Sequence, residues 1–158
     1  MAVATLARSE ECYCSAVRAA ARHITQSYDQ FLAPTGLRTT QFSILAKLKR
    51  KGPLTINALA ADMVMDRTTL GRNILPLERD GLIKIAPAAS DRRAKELHLT
   101  KAGEKRFEAA RKRWFEAQAQ FETVFGAKRG ADLHALTRAV VASEFTPAKH
   151  RGAQAIDR

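Results

Sequence analysis

From Ser9 onward, apolar residues return at Val17, Ala20, Ile24, Tyr28 and Phe31, the recurrence of one face of a long helix. Ser9, followed by Glu10 and Glu11, offers an N-cap and first-turn acids, and Pro34 with Gly36 ends the segment. A second helix is predicted from near Thr39, turning Phe42, Leu45 and Leu48 inward until Gly52-Pro53 breaks it. The following stretch, LTINALAADMVMDRTTL, contains two N-cap residues, Thr55 and Asp66, each set between apolar N′ and N4 residues. Leu54 can pack on Leu59 and Met65 on Leu70, a hydrophobic staple twice over. The pattern therefore predicts two short helices joined by a tight turn at Met63 to Met65.

The second of these, RTTLGRNILPLERDG, contains two residues that helix interiors avoid. Gly71 costs about 1 kcal/mol relative to Ala and Pro76 about 3 kcal/mol. Leu70, Ile74 and Leu77 nevertheless fall at i, i+4 and i+7, and Gly81 stands where a left-handed C-terminal residue belongs, so a helix is predicted. Beyond it the period shortens: LIKIA and AKELHL read as two strands around PAASDRR, a hairpin with a basic tip. A helix from Lys101 to about Phe125 follows, with Phe107, Trp114 and Phe121 seven apart and Ala110, Ala117 and Val124 seven apart between them. That seam is too long and too apolar for an isolated helix and asks for a partner surface. A last helix presents Leu133, Leu136 and Val140 on one face, and a polar tail is expected to be disordered.

Composition narrows the partner. The 158 residues suit one domain, and 27 Lys and Arg against 16 Asp and Glu give a net charge of +11, which favours a polyanion, nucleic acid before membrane. No apolar run is long enough to span a bilayer and the first residues do not read as a secretory signal, so a cytoplasmic protein is expected. Cys12 and Cys14 lie two apart, on different sides of a helix, which disfavours a mutual disulfide. His23, His98, His134 and His150 are scattered, and no cofactor or metal is expected. Nor does any phosphate-binding glycine loop or nucleophile–base pair suggest an enzyme.

A helix, a turn, a helix and a two-stranded basic hairpin make a winged helix-turn-helix, in which the second helix enters a major groove. The fold class expected is thus mainly α with a small β-hairpin wing. Burying Leu70, Ile74 and Leu77 turns Thr68, Arg72 and Arg79 outward, with Thr69 and Gly71 on the flanks. Arg72 suits guanine O6 and N7, and Thr68 and Thr69 suit a base edge, a phosphate or a thymine methyl. Arg67 at the helix start suits phosphate, and Asn73 joins the same candidate DNA-binding set. Gly71 would let backbone approach the sugar-phosphate wall. At the hairpin tip Arg92 and Arg93, beside Asp91, suit a narrow minor groove. A non-specific nucleic-acid-binding protein would use the same charge without such a reading face.

These residues resemble the MarR family of bacterial transcriptional regulators. Asp91-x-Arg93, five residues, then Leu99-Thr100-x-x-Gly103 matches the family's wing and helix-start pattern, and LTINALAADMVMDRTTLGRNILPLERDGLI occupies its helix-turn-helix register. GLRTTQFSILAKL is similar to the family's second helix. Val64 departs from the glycine often found in the turn, and Pro76 is not general in the family. The resemblance implies that Arg93 enters the minor groove, that Asp91 holds the wing in shape and that Arg72 reads bases. It also implies a homodimer on a pseudo-palindromic double-stranded operator, most often a repressor released by a small-molecule effector. The chain then divides into a winged helix-turn-helix region over 38–100, a helical dimerisation region over 9–34 and 101–142, and the tail over 146–158. A thiol-based, oxidant-sensing variant of the same fold is the alternative. Cys14 precedes Tyr28 by fourteen residues, as in a peroxide-sensing branch, though Arg18 and Thr39 replace the other phenols that branch uses, and a buried-interface role for Cys12 and Cys14 competes with it.

Overall fold

The structure, a computed structural model, describes residues 12–88 and 93–145. Helix α1 (Tyr13–Leu32) leads through a 3-10 turn (Ala33–Thr35) to α2 (Thr39–Lys51). Strand β1 (Leu54–Thr55), α3 (Ile56–Asp62) and α4 (Arg67–Arg79) follow, then β2 (Ile83–Pro87), β3 (Lys95–Leu99), α5 (Lys101–Phe125) and α6 (Ala127–Ala142). The chain forms two compact units, Met1–Ala119 and Gln120–Arg158.

Helix α1 starts later than its polar pattern predicts. Cys12 is already extended at the N-cap and no side chain caps it, and the described residues through His23 are all exposed, so none of the described residues buries the first turns. Ser9, Glu10 and Glu11 lie outside the described residues. Of the predicted stripe, Val17 and Ala20 are exposed, Ile24 and Phe31 half-buried, and Tyr28 buried together with Leu32. Asp29 fixes the next helix in place, accepting hydrogen bonds from the Thr39 N–H and hydroxyl at 2.7 Å each.

Both staple caps form as the sequence predicts. Thr55 accepts from Ala58 N–H at 3.1 Å, and Asp66 accepts from Thr69 N–H at 2.8 Å. The turn between α3 and α4 requires Val64 at φ 53°, the left-handed region, with its side chain 71% exposed. Helix α4 ends in a Schellman motif: Gly81 at φ 69° donates to Glu78 O, and Leu82 N–H donates to Leu77 O, both at 2.9 Å.

The core of the first unit joins Leu32, Phe42, Leu45, Leu48, Leu59, Leu70, Ile74, Leu77, Leu97 and Phe107. Burying Leu70, Ile74 and Leu77 is worth about 5–9 kcal/mol in all. That exceeds the roughly 4 kcal/mol that Gly71 and Pro76 cost by propensity, so α4 stays helical across both. The sheet is one strand richer than the predicted hairpin: β1 pairs antiparallel with β3, Leu54 opposite Leu97, giving the order β1-β3-β2. Two residues are too short for a period-2 signal, which is why the pattern misses β1.

The aromatic seam of α5 finds part of its partner surface within the chain. Phe107 and Trp114 stack on Phe42, with centroids 5.3 and 6.0 Å apart, which covers the first half of the seam. Tyr28 in α1 donates its hydroxyl to Gln118 Oε1. In the second unit Phe121 meets Phe125 at 5.2 Å, Arg129 lies over the Phe125 ring, and α6 buries none of its residues.

Candidate nucleic-acid interface

Because successive helix residues advance by 100°, anchoring α4 on Leu70, Ile74 and Leu77 leaves the opposite face to solvent. Arg67, Thr68, Thr69, Arg72 and Arg79 are all exposed, and Asn73 is half-buried with its amide donating to Thr69 O at 2.9 Å. Arg79 is partly neutralised by Asp80 at 3.1 Å. Arg67 and Arg72 have no acidic partner among the described residues, which leaves two guanidinium groups open to an anion or a base edge.

The helix start is ordered by one carboxylate. Asp66 takes the Thr69 hydroxyl at 2.6 Å on one oxygen and the Thr69 N–H on the other, and these bonds, the hydroxyl first, hold its carboxyl below the usual carboxylate range. The Thr69 hydroxyl proton is therefore committed to Asp66. Toward a ligand Thr69 presents oxygen lone pairs and a methyl, not a donor. A Cβ placed on Gly71 meets nothing within 4 Å, so no contact inside the chain requires glycine there.

The wing rises beside this face. Strands β2 and β3 pair from Ile83 opposite Leu99 to Pro87 opposite Lys95, and Ala88 N–H donates to Ala94 O at 2.8 Å to close the hairpin base. Arg93 is exposed at the base of the tip. Asp91 and Arg92 lie outside the described residues. Between α4 and the wing runs an open cleft of about 300 Å³ lined by Glu78, Ile85, Ala86, Pro87, Arg93 and Lys95. The cleft thus joins the end of α4, through Glu78, to the wing, where Arg93 and Lys95 supply its cations.

A small joint ties the end of α4 to the start of α5. The Thr100 hydroxyl donates to Gly81 O at 2.7 Å and accepts from Gly103 N–H at 3.0 Å, while Thr100 N–H donates to Leu82 O at 3.1 Å. Gly103 is buried there because a Cβ would collide with the Leu82 carbonyl and the Leu99 side chain. The Leu99-Thr100-x-x-Gly103 pattern is thereby a physical junction: a helix cap and a close backbone approach that fix the end of α4 relative to α5.

The cysteines give no comparable constellation. Cys12 and Cys14 are free and exposed at the start of α1, and Tyr28 is buried against Gln118. Fourteen residues of helix separate Cys14 from Tyr28, about 21 Å, so the chain does not bring them together. No group of three metal-ligating side chains occurs among the described residues, and no described helix is long and apolar enough to cross a membrane. Leu75, passed over by the sequence reading, stands 63% exposed on the outward face. Continuing the helical count from Thr68 and Arg72 would have found it.

Helix, turn, recognition helix and wing, with a cationic outward face, define a winged helix-turn-helix DNA-binding protein. The model of the MarR family matches residues 37–95, the segment from the start of α2 to the wing. The chain is 36% identical to the M. tuberculosis transcriptional regulator MosR, covering 84% of this chain and 98% of that one with a TM-score of 0.71. It is 37% identical to MosR solved in complex with DNA, covering 83% and 97%, again at 0.71. YwoH, an uncharacterized HTH-type transcriptional regulator of Bacillus subtilis (strain 168), is 32% identical over 92 residues, 58% of this chain and 66% of its own length. CouR from Rhodococcus jostii RHA1, bound to p-coumaroyl-CoA, shares the fold at a TM-score of 0.70 and 20% identity, covering 83% of this chain and 92% of that one. The chain belongs to the MarR family, and it is a DNA-binding transcriptional regulator.

Proposed function

We propose that the protein is a homodimeric repressor that occupies a pseudo-palindromic operator, sets one α4 into the major groove of each half-site, and leaves DNA when a small molecule binds. The observation that carries this reading is the outward face of α4: Thr68 and Arg72 exposed on a helix whose far side is locked by Leu70, Ile74 and Leu77. In this reading Arg72 contacts base edges, Arg67 and the capped helix start contact phosphate, and Thr68, Thr69 and Asn73 complete the contact set. Arg93 enters the minor groove, with Arg92 beside it and Asp91 shaping the tip.

The homodimer is supported by apolar surface without cover. Tyr13 and Val17 of α1 are 89% and 53% exposed, and in the second unit Val124, Leu136, Val141 and Phe145 are each at least 65% exposed. Two recognition helices then address half-sites one helical turn apart. Release by a small molecule rests on family membership. Oxidation of Cys14 with support from Tyr28 is the weaker reading, since the two stand apart on one helix.

Selecting bound genomic fragments with the full chain, then competing them against random duplex, tests the proposal. Preference for a pseudo-palindromic fragment by a factor of about 10³ or more is expected of a regulator. Equal binding to random duplex would identify a non-specific nucleic-acid-binding protein instead.

A further inference from the structure

The outward face of α4 contains one residue that its neighbours do not explain. Positions 68, 72, 75 and 79 fall at i, i+4, i+7 and i+11, so Leu75 shares a stripe with Thr68, Arg72 and Arg79. It is 63% exposed, while Leu70, Ile74 and Leu77 fill the core side without it. A single exposed leucine is ordinary on a protein surface. This one is flanked by Arg72 and Arg79 one turn to either side, on a face whose charge suits a polyanion.

One turn before it stands Gly71, where a Cβ would have open space on every side. Gly71 and Leu75, four apart, make an uncharged strip beside Arg72, with a low end and a protruding apolar end. The apolar group that a major groove presents at its floor is the thymine C5 methyl, which marks A·T pairs and their orientation. An aliphatic side chain held between two arginines on a groove-facing stripe matches that group in chemistry and in place.

We propose that Leu75 is a specificity-determining residue that packs on a thymine methyl of each operator half-site. The assignment rests on the reading of α4 as the groove helix. It adds an apolar discriminator to the polar readout by Arg72, so the operator has an A·T pair next to the base pair that Arg72 contacts.

Replacing single thymines by uracil deletes the methyl and nothing else. With the selected fragment at fixed salt, affinity is measured for each thymine-to-uracil duplex with wild type, Leu75→Ala and Leu75→Met, after melting curves establish that both variants are folded. At one thymine per half-site the wild type is expected to lose about fourfold, the worth of one buried methyl. Leu75→Ala binds the thymine operator about as weakly as wild type binds the uracil one and is indifferent to that replacement, whereas Leu75→Met keeps the discrimination. If wild type prefers the selected fragment and Arg72→Ala relaxes that preference, yet no thymine couples to residue 75, the leucine assignment alone is overturned. If wild type shows no preference for the selected fragment, the groove-reading role of α4 and the leucine assignment fall together. A change of oligomeric state in Leu75→Ala would place a protein contact at this position and overturn the proposal as well.

Discussion

Val64 is the residue whose backbone fits its side chain least. A β-branched residue at φ 53° is held in the left-handed region by the demand for a tight turn between α3 and α4, at a cost of about 1–2 kcal/mol. Its side chain is exposed, so nothing is lost in packing when it is removed. Val64→Gly should raise unfolding free energy by about 1 kcal/mol, read as a higher melting temperature with unchanged DNA affinity. An unchanged or lower melting temperature would show that the turn is not strained. Gly103 is the opposite case, since a side chain there meets the Leu82 carbonyl. Gly103→Ala should destabilise by about 3 kcal/mol in chemical denaturation, and Thr100→Ala by about 1 kcal/mol through loss of the cap.

At the scale of elements, the helix-turn-helix is clamped to α2 by one carboxylate. Asp62, the last residue of α3, takes Lys47 Nζ and Lys51 Nζ at 2.7 Å each, and Lys47 also reaches the Asp62 carbonyl at 3.1 Å. These hydrogen bonds, that of Lys47 first, lower the Asp62 carboxyl to about 2. A depressed folded value means that the contribution is complete above the ordinary value of 3.8 and is lost as pH falls through about 2. Asp62→Asn should therefore cost about 1 kcal/mol near neutral pH, allowing for solvent screening, and the gap to wild type should close on acidification. A gap independent of pH would assign the effect to packing.

The elements themselves were legible where a local rule acted alone. Both N-caps, the Met63–Met65 turn, the left-handed Gly81 and the span of α5 follow from spacing and capping chemistry. Strand β1 was not legible, because it exists only by pairing with β3 forty residues on. The extended, uncapped Cys12 that precedes α1 was not legible either, since no spacing rule marks it and the described first turns bury nothing. The seam of α5 showed its period but not its partner, and Phe42 proved to be that partner for Phe107 and Trp114. At the candidate site, helical arithmetic placed Arg72 and Thr68 outward and reaches Leu75 on the same stripe, whereas the engagement of the Thr69 hydroxyl by Asp66 depends on side-chain geometry that spacing does not give.

For the whole molecule, net charge +11 and the two-arginine reading face predict binding that falls steeply with salt. Arg93→Ala, which removes a cation at the wing, should weaken operator binding and lower the slope of log affinity against log salt by about 1 if that group displaces one counterion. An unchanged slope and affinity would remove the wing from the interface. Dilution of the protein should likewise reduce operator binding cooperatively if two copies are required, with sedimentation giving the assembly directly.

The account turns on Arg72 reading bases from an anchored helix, and the most direct measurement is the affinity of wild type and Arg72→Ala for the selected fragment and for random duplex under one salt condition. The predicted result is a loss of about 1–3 kcal/mol on the selected fragment with a much smaller loss on random duplex, so that discrimination collapses. Equal weakening on both duplexes would contradict it, reducing Arg72 to a phosphate contact.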